Sequence, residues 1–320
     1  MSPRRNARAT VRPAARRATS GKRRALGQHS LRDEDVARRI VELVSPTARD
    51  LVVEIGPGEG ALTGHLAASA GRLVALEVDP DLAARLRERF AGTPHVEILE
   101  ADAIRHDYAA LPGLRPDPAG RVLVVGNLPY SVGTAILSAL LTAGPAIARL
   151  APMEMVLMLQ REVAERVAAG PGSRTYGSLS VLSQMVADVV VAFAVPPGAF
   201  RPPPQVDSAV IHLRVLAAPP VAVADPDHFR AVVLAAFSQR RKNLANALGS
   251  ALGLPVERLR ERLTGIGIDP ARRAETVSLA DFARLAEMLR SARAASTATP
   301  SGSPSGSGRW AIRDTGMTSP

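Results

Sequence analysis

Val124-Val125-Gly126-Asn127-Leu128-Pro129-Tyr130 joins an apolar run to a polar turn, and the rest of the chain can be interpreted outward from it. The apolar run over 121–125 predicts a buried parallel strand. This strand must end near Asn127, because Pro129 has no backbone N–H to donate to a neighbouring strand. The chain therefore leaves the sheet at its carboxyl edge, where open α/β folds bind their ligands.

This turn offers the groups needed to hold a planar ring that carries an amine. The side-chain oxygen of Asn127 and the carbonyl of Leu128 can accept hydrogen bonds from an NH2 group. Tyr130 can stack on the face of the ring, and Pro129 stiffens the turn. An ordinary strand end followed by a proline turn is the alternative interpretation.

A glycine-rich loop, Gly56-Pro57-Gly58-Glu59-Gly60, follows an apolar strand at 51–55 and leads into a predicted helix at 61–70. Such a loop lets the backbone approach a ligand and aims the helix N-terminus at it. The dinucleotide fingerprint is not met, because Ala61 and Leu62 follow Gly60, which disfavours an NAD-dependent dehydrogenase. The spacing favours an amino-acid moiety over a pyrophosphate, and a tight turn without a ligand is the alternative.

Two acids follow the next predicted strands, which lie at 73–76 and 96–99. Glu77 lies 21 residues after Gly56, a distance at which an acid can accept hydrogen bonds from ribose hydroxyls. Asp102 can accept a hydrogen bond from the exocyclic amine of an adenine. Glycine loop, ribose acid, adenine acid and amide turn thus occur on four successive strand ends. This order is expected of a class I, S-adenosylmethionine-dependent methyltransferase.

Three further strands are predicted at 153–159, 190–195 and 209–215, with a helix at 177–189 before the last two. The proline-rich loop between those two strands carries Phe200, which we expect to be exposed for stacking; burial in the core is the alternative. The predicted fold is α/β: a class I (Rossmann-like) methyltransferase with a seven-stranded, mostly parallel sheet and a small C-terminal helical domain.

The positive charge of the chain is concentrated at one end. Residues 1–24 hold nine basic residues and no acid, nearly all of the formal net charge of +10. Such an arm attracts phosphates in a salt-dependent way. A solvated tail is one alternative, and a mitochondrial transit peptide is disfavoured because large aliphatic residues are scarce. We expect a disordered basic arm at 1–24, a methyltransferase domain at 25–220, a helical RNA-recognition domain at 221–292 and a disordered tail at 293–320.

A second basic cluster, Ser238-Gln239-Arg240-Arg241-Lys242-Asn243, falls within a predicted helix at 229–248. Its charges suggest a side that faces RNA, whereas a plain packing module is the alternative. The candidate RNA-binding residues are Arg23, Arg24, Arg240, Arg241 and Lys242.

Composition narrows the possible classes of protein. The chain contains no cysteine, which excludes a disulfide framework, a thiolate nucleophile and a cysteine-based zinc site. It has no apolar run near the ~18 residues of a membrane span and no signal-peptide pattern. We expect a cytoplasmic protein that is a monomer and has neither a membrane nor a metal partner.

The sequence resembles the bacterial 16S rRNA adenine N6,N6-dimethyltransferases, the KsgA/RsmA family, whose sister enzymes are the Erm 23S rRNA methyltransferases. The resemblance runs from about Arg23 to Leu289. It rests on the motifs at 26–28, 54–60, 127–130, 200–208, 237–242 and 265–270. The last two motifs and Leu128 favour the 16S branch, whereas the arginine-rich arm is a feature of some Erm proteins.

The resemblance implies S-adenosyl-L-methionine as cofactor and 16S rRNA of the small ribosomal subunit as substrate. Two adjacent adenosines near its 3′ end would each receive two methyl groups, in connection with subunit biogenesis. The candidate cofactor-binding residues are His29, Leu31, Gly56, Gly58, Glu77, Asp102 and Asn127. The candidate catalytic residues are Asn127, Leu128, Pro129, Tyr130 and Phe200.

One motif departs from the family pattern. Where the family usually has Gly-Gln-Asn-Phe-Leu, this chain has Gly27-Gln28-His29-Ser30-Leu31. The imidazole of His29 can make one of the hydrogen bonds of the family's asparagine amide. We therefore expect the cofactor to bind, although the entrance of its site differs from the family pattern. An Erm-type 23S rRNA methyltransferase and a ribosome-assembly factor remain the alternative functions.

Overall fold

The computed structural model describes residues 29–298, apart from the side chains of Pro112 and of residues 292–298. The predicted basic arm, with Arg23 and Arg24, lies outside the described residues, as does the tail from 299 onward.

The described residues form nine strands and ten α-helices. The strands are β1 (Ser30–Leu31), β2 (Leu51–Ile55), β3 (Arg72–Glu77), β4 (Val96–Glu100), β5 (Val122–Asn127), β6 (Met153–Gln160), β7 (Ala187–Val195), β8 (Phe200–Arg201) and β9 (Ser208–Val215). The α-helices are α1 (Glu34–Val44), α2 (Thr63–Ala67), α3 (Pro80–Arg89), α4 (Gly133–Ala148), α5 (Arg161–Ala168), α6 (Ser178–Gln184), α7 (Pro226–Phe237), α8 (Leu244–Leu252), α9 (Val256–Gly265) and α10 (Leu279–Ala298). Between residues 29 and 298, no helix is long and apolar enough to cross a bilayer.

Seven strands form one sheet in the order β4-β3-β2-β5-β6-β9-β7. Neighbours from β4 to β6 run parallel, whereas β9 runs antiparallel to both β6 and β7. The prediction of a seven-stranded, mostly parallel sheet is therefore confirmed. Because β4, β3, β2 and β5 are adjacent and parallel, the four polar motifs that follow them meet at one edge.

Both faces of the sheet are covered, which explains why its central strands are almost wholly apolar. Alternate residues of β2 face opposite sides. Val53 packs in a cluster with residues of α4, while Val52 packs in another cluster with residues of α1 and α2. Asp33 caps α1 by accepting hydrogen bonds from the N–H groups of Asp35 and Val36.

The helix predicted at 177–189 is shorter than expected. It ends at Gln184, and β7 begins at Ala187. Residues 187–195 are rich in valine, which favours a strand, and β7 pairs with β9 over nearly its whole length. Pairing with β9 therefore overrides the helical spacing of apolar residues in this segment.

The helix predicted at 229–248 is two helices, and the basic cluster lies in the loop between them. Ser238 Oγ donates to the Ala235 carbonyl (2.7 Å) at the end of α7. Asn243 begins α8 by accepting a hydrogen bond from the Asn246 N–H (2.9 Å). These side-chain bonds compete with a continuous helix, and they leave the Arg240-Arg241-Lys242 run exposed on a loop.

The helical unit shares its core with residues that precede the predicted boundary at 220. Phe229 and Phe282 pack in one cluster with Tyr176 and Val181 from the end of the sheet domain. At the other end, α10 continues to Ala298, six residues past the predicted limit of 292. Alanine recurs over 292–298, and its high helix propensity accounts for the extension.

A network of ion pairs lies at the amino edge of the parallel strands, opposite the polar motifs. Arg121 Nη2 lies 2.9 Å from Asp50 Oδ2, and Arg121 Nη1 lies 3.0 Å from Glu154 Oε1. His212 Nε2 contacts the other oxygen of Glu154 at 2.7 Å. Burial opposes ionisation of Asp50, but hydrogen bonds from Arg121 and Thr47 outweigh it and lower the pKa of Asp50 to about 2. The network thereby ties together the starts of β2, β5 and β6.

We predict that Arg121→Leu lowers the free energy of unfolding by about 3–5 kcal/mol, because Asp50 is left buried without its cation. Arg72→Leu, which removes an exposed pair with Glu97, is the matched control and should cost about 1 kcal/mol or less. Denaturant unfolding at pH 7 measures both. The Arg121 effect should shrink as the pH falls from about 4 to about 2, where Asp50 becomes protonated. Equal losses for the two variants would contradict this account.

Candidate active site

A cleft opens at the carboxyl edge of the sheet. The ends of β2, β3 and β5 form its walls, together with the segment that precedes α1. Its lining residues are His29, Ser30, Leu31, Glu54, Gly56, Pro57, Gly58, Glu59, Ala61, Leu62, Glu77, Leu82, Asn127, Leu128, Pro129 and Tyr130. The structure thus brings most of the predicted site residues together. Among the described cofactor-binding and catalytic candidates, only Asp102 and Phe200 do not line the cleft.

The glycine loop presents open backbone to the cleft. Gly56 and Gly58 have φ angles of 63° and 60°, a region that glycine adopts without steric cost. A Cβ added at Gly56 would meet no atom within 4 Å, and one added at Gly58 would meet only the Gly56 carbonyl at 3.9 Å. The loop therefore leaves room for a ligand against its backbone.

Glu77 is held rigidly at the end of β3. Its Oε2 accepts a hydrogen bond from the Gly58 N–H (3.0 Å), and its Oε1 accepts one from the Asp79 N–H (2.9 Å). Burial raises the pKa of Glu77, although these hydrogen bonds work against that effect. Each carboxylate oxygen keeps a further lone pair, so Glu77 can still accept hydrogen bonds from a pair of ligand hydroxyls.

The Asn127 amide is oriented by main chain from another part of the molecule. Its Nδ2 donates to the His29 carbonyl at 2.9 Å, which leaves Oδ1 as the amide atom available to a ligand. The turn itself is anchored at both ends. The Leu128 N–H donates to the Met158 carbonyl (3.1 Å), and the Pro129 carbonyl accepts from the Gly133 N–H (2.7 Å) at the start of α4.

Tyr130 is fixed by a partner that the sequence did not single out. Its hydroxyl lies 2.5 Å from Ser208 Oγ, and Ser208 is buried at the start of β9. The Tyr130 ring also lies 5.2 Å from the His29 ring, with the two planes inclined by 40°. Burial raises the pKa of Tyr130, so the phenol stays neutral. Only the position of Ser208, directly after the proline-rich loop, could have indicated this role.

Phe200 is not the exposed aromatic residue that the sequence predicted. Its ring is 2% exposed and packs with Leu31 and Val195 in the cluster that contains α1. The cause is pairing between β1 and β8, which sets Leu31 opposite Phe200 and Ser30 opposite Arg201. Because side chains alternate along a strand, this pairing turns Phe200 inward and Arg201 outward.

Asp102 follows β4 as predicted but makes local contacts. Its Oδ1 accepts a hydrogen bond from the Ile104 N–H (2.9 Å), and its Oδ2 lies 3.8 Å from Arg105 Nε. Its contact with an adenine amine stays a prediction.

Glu54 is a site residue that sequence reasoning missed. It lies within β2, is 1% exposed, and its Oε2 has no hydrogen-bond partner among the described residues. Burial raises the pKa of Glu54 to about 8, and the neighbouring Glu77 adds to the effect. A single acid inside an apolar strand, directly before a glycine loop, was the available signal. An unpaired buried carboxyl at the cleft favours a ligand that carries positive charge.

This sheet order, with a glycine loop, a strand-end acid and an amide turn around one cleft, is that of the class I (Rossmann-like) methyltransferase fold. The family model for ribosomal RNA adenine dimethylase matches residues 19–291. The chain therefore belongs to the ribosomal RNA adenine dimethylase family, as the sequence motifs had suggested.

Named relatives agree with this membership. The chain is 48% identical over 271 residues to the ribosomal RNA small subunit methyltransferase A of Geobacter sulfurreducens, covering 84% of this chain and 96% of that protein. It is 44% identical over 272 residues to the protein of the same name from Moorella thermoacetica, covering 84% and 92%.

Two solved structures share the fold. The crystal structure of the 23S rRNA methyltransferase ErmE is 28% identical, with a TM-score of 0.59 and coverage of 81% of this chain and 99% of that one. A dimethyladenosine transferase from Plasmodium falciparum is 23% identical, with a TM-score of 0.67 and coverage of 83% and 98%, which supports the fold alone.

As a member of this family, the chain is an rRNA adenine dimethyltransferase whose methyl donor is S-adenosyl-L-methionine. The cleft fits this cofactor. Gly56 and Gly58 leave space for its amino-acid part, and Glu77 offers oxygens to ribose hydroxyls. The unpaired oxygen of Glu54 suits a cationic group.

We predict that Glu54→Gln stabilises the ligand-free protein by about 1–3 kcal/mol at pH 8.5, because it removes a buried negative charge that no cation balances among the described residues. The folded protein holds a proton on Glu54 that the unfolded chain releases between about pH 4.5 and 8, so stability falls as the pH rises through this range. Urea unfolding at pH 8.5 and at pH 5 should show that the gain in stability from Glu54→Gln is smaller at pH 5. Glu88→Gln, at an exposed position of α3, is the control and should change stability by less than about 0.5 kcal/mol. A gain of equal size at both pH values would mean that ionisation of Glu54 is not its cause.

Proposed function

We propose that this protein dimethylates N6 of two adjacent adenosines near the 3′ end of 16S rRNA, in the small ribosomal subunit, as a step of subunit biogenesis. The observation that carries the proposal is the oriented Asn127 amide beside Tyr130 at the mouth of the cleft. The 16S assignment is supported by the 48% identical relative, which is named as a small subunit methyltransferase, while the 23S enzyme ErmE is 28% identical.

S-adenosyl-L-methionine supplies the methyl group, activated on a positively charged sulfonium. Gly56 and Gly58 would hold its amino-acid part, Glu77 would accept hydrogen bonds from its ribose, and Asp102 would accept one from its adenine amine. His29, Leu31 and Asn127 complete this side of the cleft. Glu54 lines the same cleft and would offer a carboxyl oxygen to a positively charged group of the cofactor.

Asn127 and Leu128 prepare the adenine amine for transfer. The lone pair of N6 is delocalised into the ring, so the free amine is a poor nucleophile. Asn127 Oδ1 and the Leu128 carbonyl accept the N6 hydrogens, hold the nitrogen in place and stabilise its growing positive charge. Pro129 stiffens the turn that carries both oxygens. The released proton passes to water.

Tyr130 holds the face of the target base. Base–aromatic stacking contributes roughly 1–3 kcal/mol per base, which is comparable to the few kcal/mol that extruding a base costs. Ser208 fixes the Tyr130 ring for this contact. Phe200 could stack on the opposite face of the adenine only if its ring left the core. In this proposal, Tyr130 alone therefore stacks on the base.

The exposed loop between α7 and α8 binds the RNA backbone through Arg240, Arg241 and Lys242. Arg240 Nη2 lies 3.4 Å from the Arg174 carbonyl, so the loop after α5 lies alongside the basic run. Arg23 and Arg24 of the arm add sequence-independent attraction to phosphates. We expect the protein to act as a monomer in the cytoplasm.

We predict that Asn127→Ala lowers kcat for methylation by about 10²–10³-fold, the loss typical of removing one oriented electrostatic group. Small subunits that lack the modification are incubated with labelled S-adenosyl-L-methionine, and dimethyladenosine in 16S rRNA is measured. Naked 23S rRNA is assayed in parallel. Label in naked 23S rRNA alone would move the protein to the Erm branch, and full activity of the variant would refute the role of Asn127.

We also predict that joint replacement of Arg240, Arg241 and Lys242 by alanine weakens RNA binding and reduces the slope of log affinity against log salt by about 2–3. The matched control replaces Arg258, Arg260 and Arg262, which are exposed on α9 of the same helical unit, and so removes the same charge. Fluorescence anisotropy with a 16S rRNA fragment at several salt concentrations measures both. Equal effects of the two triple variants would show that net charge, rather than this loop, governs binding.

A further inference from the structure

Residues 29–32, here called the strap, contact two separate segments of the chain. On one side, the His29 carbonyl accepts the hydrogen bond from Asn127 Nδ2. On the other side, β1 pairs with β8, and the Arg32 N–H donates to the Ala199 carbonyl at 2.8 Å. The strap therefore joins the amide turn to the proline-rich loop at 196–207.

The side chain of His29 adds a second link to the same loop. Its Nδ1 lies 2.8 Å from the Pro202 carbonyl. A carbonyl can only accept a hydrogen bond, so Nδ1 carries the proton and donates it. The bond lies beyond the short β1–β8 pairing and extends it by one contact.

The His29 ring is also a neighbour of the proposed base-stacking ring. It lies 5.2 Å from the Tyr130 ring, at an inclination of 40°, and both residues line the cleft. With Phe200 buried, His29 is the aromatic side chain nearest to Tyr130 among the lining residues. The imidazole thus contacts Tyr130 and the proline-rich loop at once.

We propose that His29 is a positioning residue for the target adenine: its imidazole tethers the proline-rich loop beside Tyr130 and so sets the width of the base-binding site. This inference rests on the proposed function. The bond to Asn127 uses the main chain of His29 and persists whatever side chain stands there. Replacing the side chain therefore tests its contacts with the proline-rich loop and Tyr130, and because His29 is also a proposed cofactor-binding residue, the assays use saturating S-adenosyl-L-methionine.

Three substitutions separate the two contacts of the imidazole. His29→Ala removes both the donor and the ring. His29→Asn keeps an N–H donor close to the position of Nδ1 but has no ring, and His29→Phe keeps a ring but has no donor. His65→Ala is the matched control, because His65 contacts Glu34 on the surface, away from the cleft.

Steady-state kinetics should show a larger change in KM than in kcat. We expect His29→Ala, assayed at saturating S-adenosyl-L-methionine, to raise KM for the small-subunit substrate about 5- to 10-fold, as loss of one hydrogen bond near 1 kcal/mol implies, a larger change than the change in kcat. His29→Asn should recover most of the loss and His29→Phe should not. If His29→Asn behaves like His29→Ala, or if only the affinity for S-adenosylhomocysteine changes in calorimetry, the tether is refuted and His29 acts elsewhere.

Hydrogen exchange of the free protein tests the tether without any substrate. The backbone N–H groups of Phe200, Arg201 and Gln205, which flank the prolines at 202–204, should exchange about 3- to 10-fold faster in His29→Ala and His29→Phe than in wild type, and at the wild-type rate in His29→Asn and His65→Ala. Core peptides from β2 and β5 should be unchanged, which separates a local effect from general destabilisation. Unchanged exchange at 199–205 in His29→Ala would overturn the proposal.

The two proposals fail in different ways. If wild type does not methylate small subunits, the proposed function falls, whereas the exchange data still report on the tether. If wild type is active and His29→Ala changes neither KM nor exchange, the tether alone falls.

Discussion

The hydrogen bond from Asn127 Nδ2 to the His29 carbonyl is the contact on which the active site depends. An amide can present either its oxygen or its nitrogen, and only the oxygen can receive the hydrogens of an amine. By engaging the nitrogen, the strap settles this choice before any substrate arrives. Such preorganisation is how a protein stabilises charge without reorganising during the reaction.

Buried carboxylates are paired with a cation at the amino edge of the parallel strands, whereas at the carboxyl edge Glu54 is not paired with one among the described residues. At one edge, Arg121 neutralises Asp50 and Glu154, and the pKa of Asp50 falls to about 2. At the cleft, Glu54 Oε2 has no hydrogen-bond partner among residues 29–298, and burial raises the pKa of Glu54 to about 8. The first arrangement stabilises the fold, whereas the second keeps a carboxyl poised for a positively charged ligand, at a cost to stability.

The helical unit is built onto the sheet domain and not merely linked to it. Tyr176, from the segment between α5 and α6, packs against Phe237, and its hydroxyl donates to the Val277 carbonyl at 3.1 Å. The basic loop at 238–243 begins directly after Phe237. Its position relative to the sheet domain is therefore fixed by a buried core.

The sequence by itself determined the strands of the sheet and the order of the polar motifs. Apolar runs, glycine loops and prolines influence structure over only a few residues. Their effects can therefore be predicted from residues 51–60 and 121–130 without knowing which other segments lie nearby. Only the tertiary structure decided the burial of Phe200, the bond between Tyr130 and Ser208, and the isolation of Glu54. Phe200 turns inward because β8 pairs with β1, which lies about 170 residues earlier in the chain. Such a pairing depends on which segments meet in space, and no local pattern of residues records it.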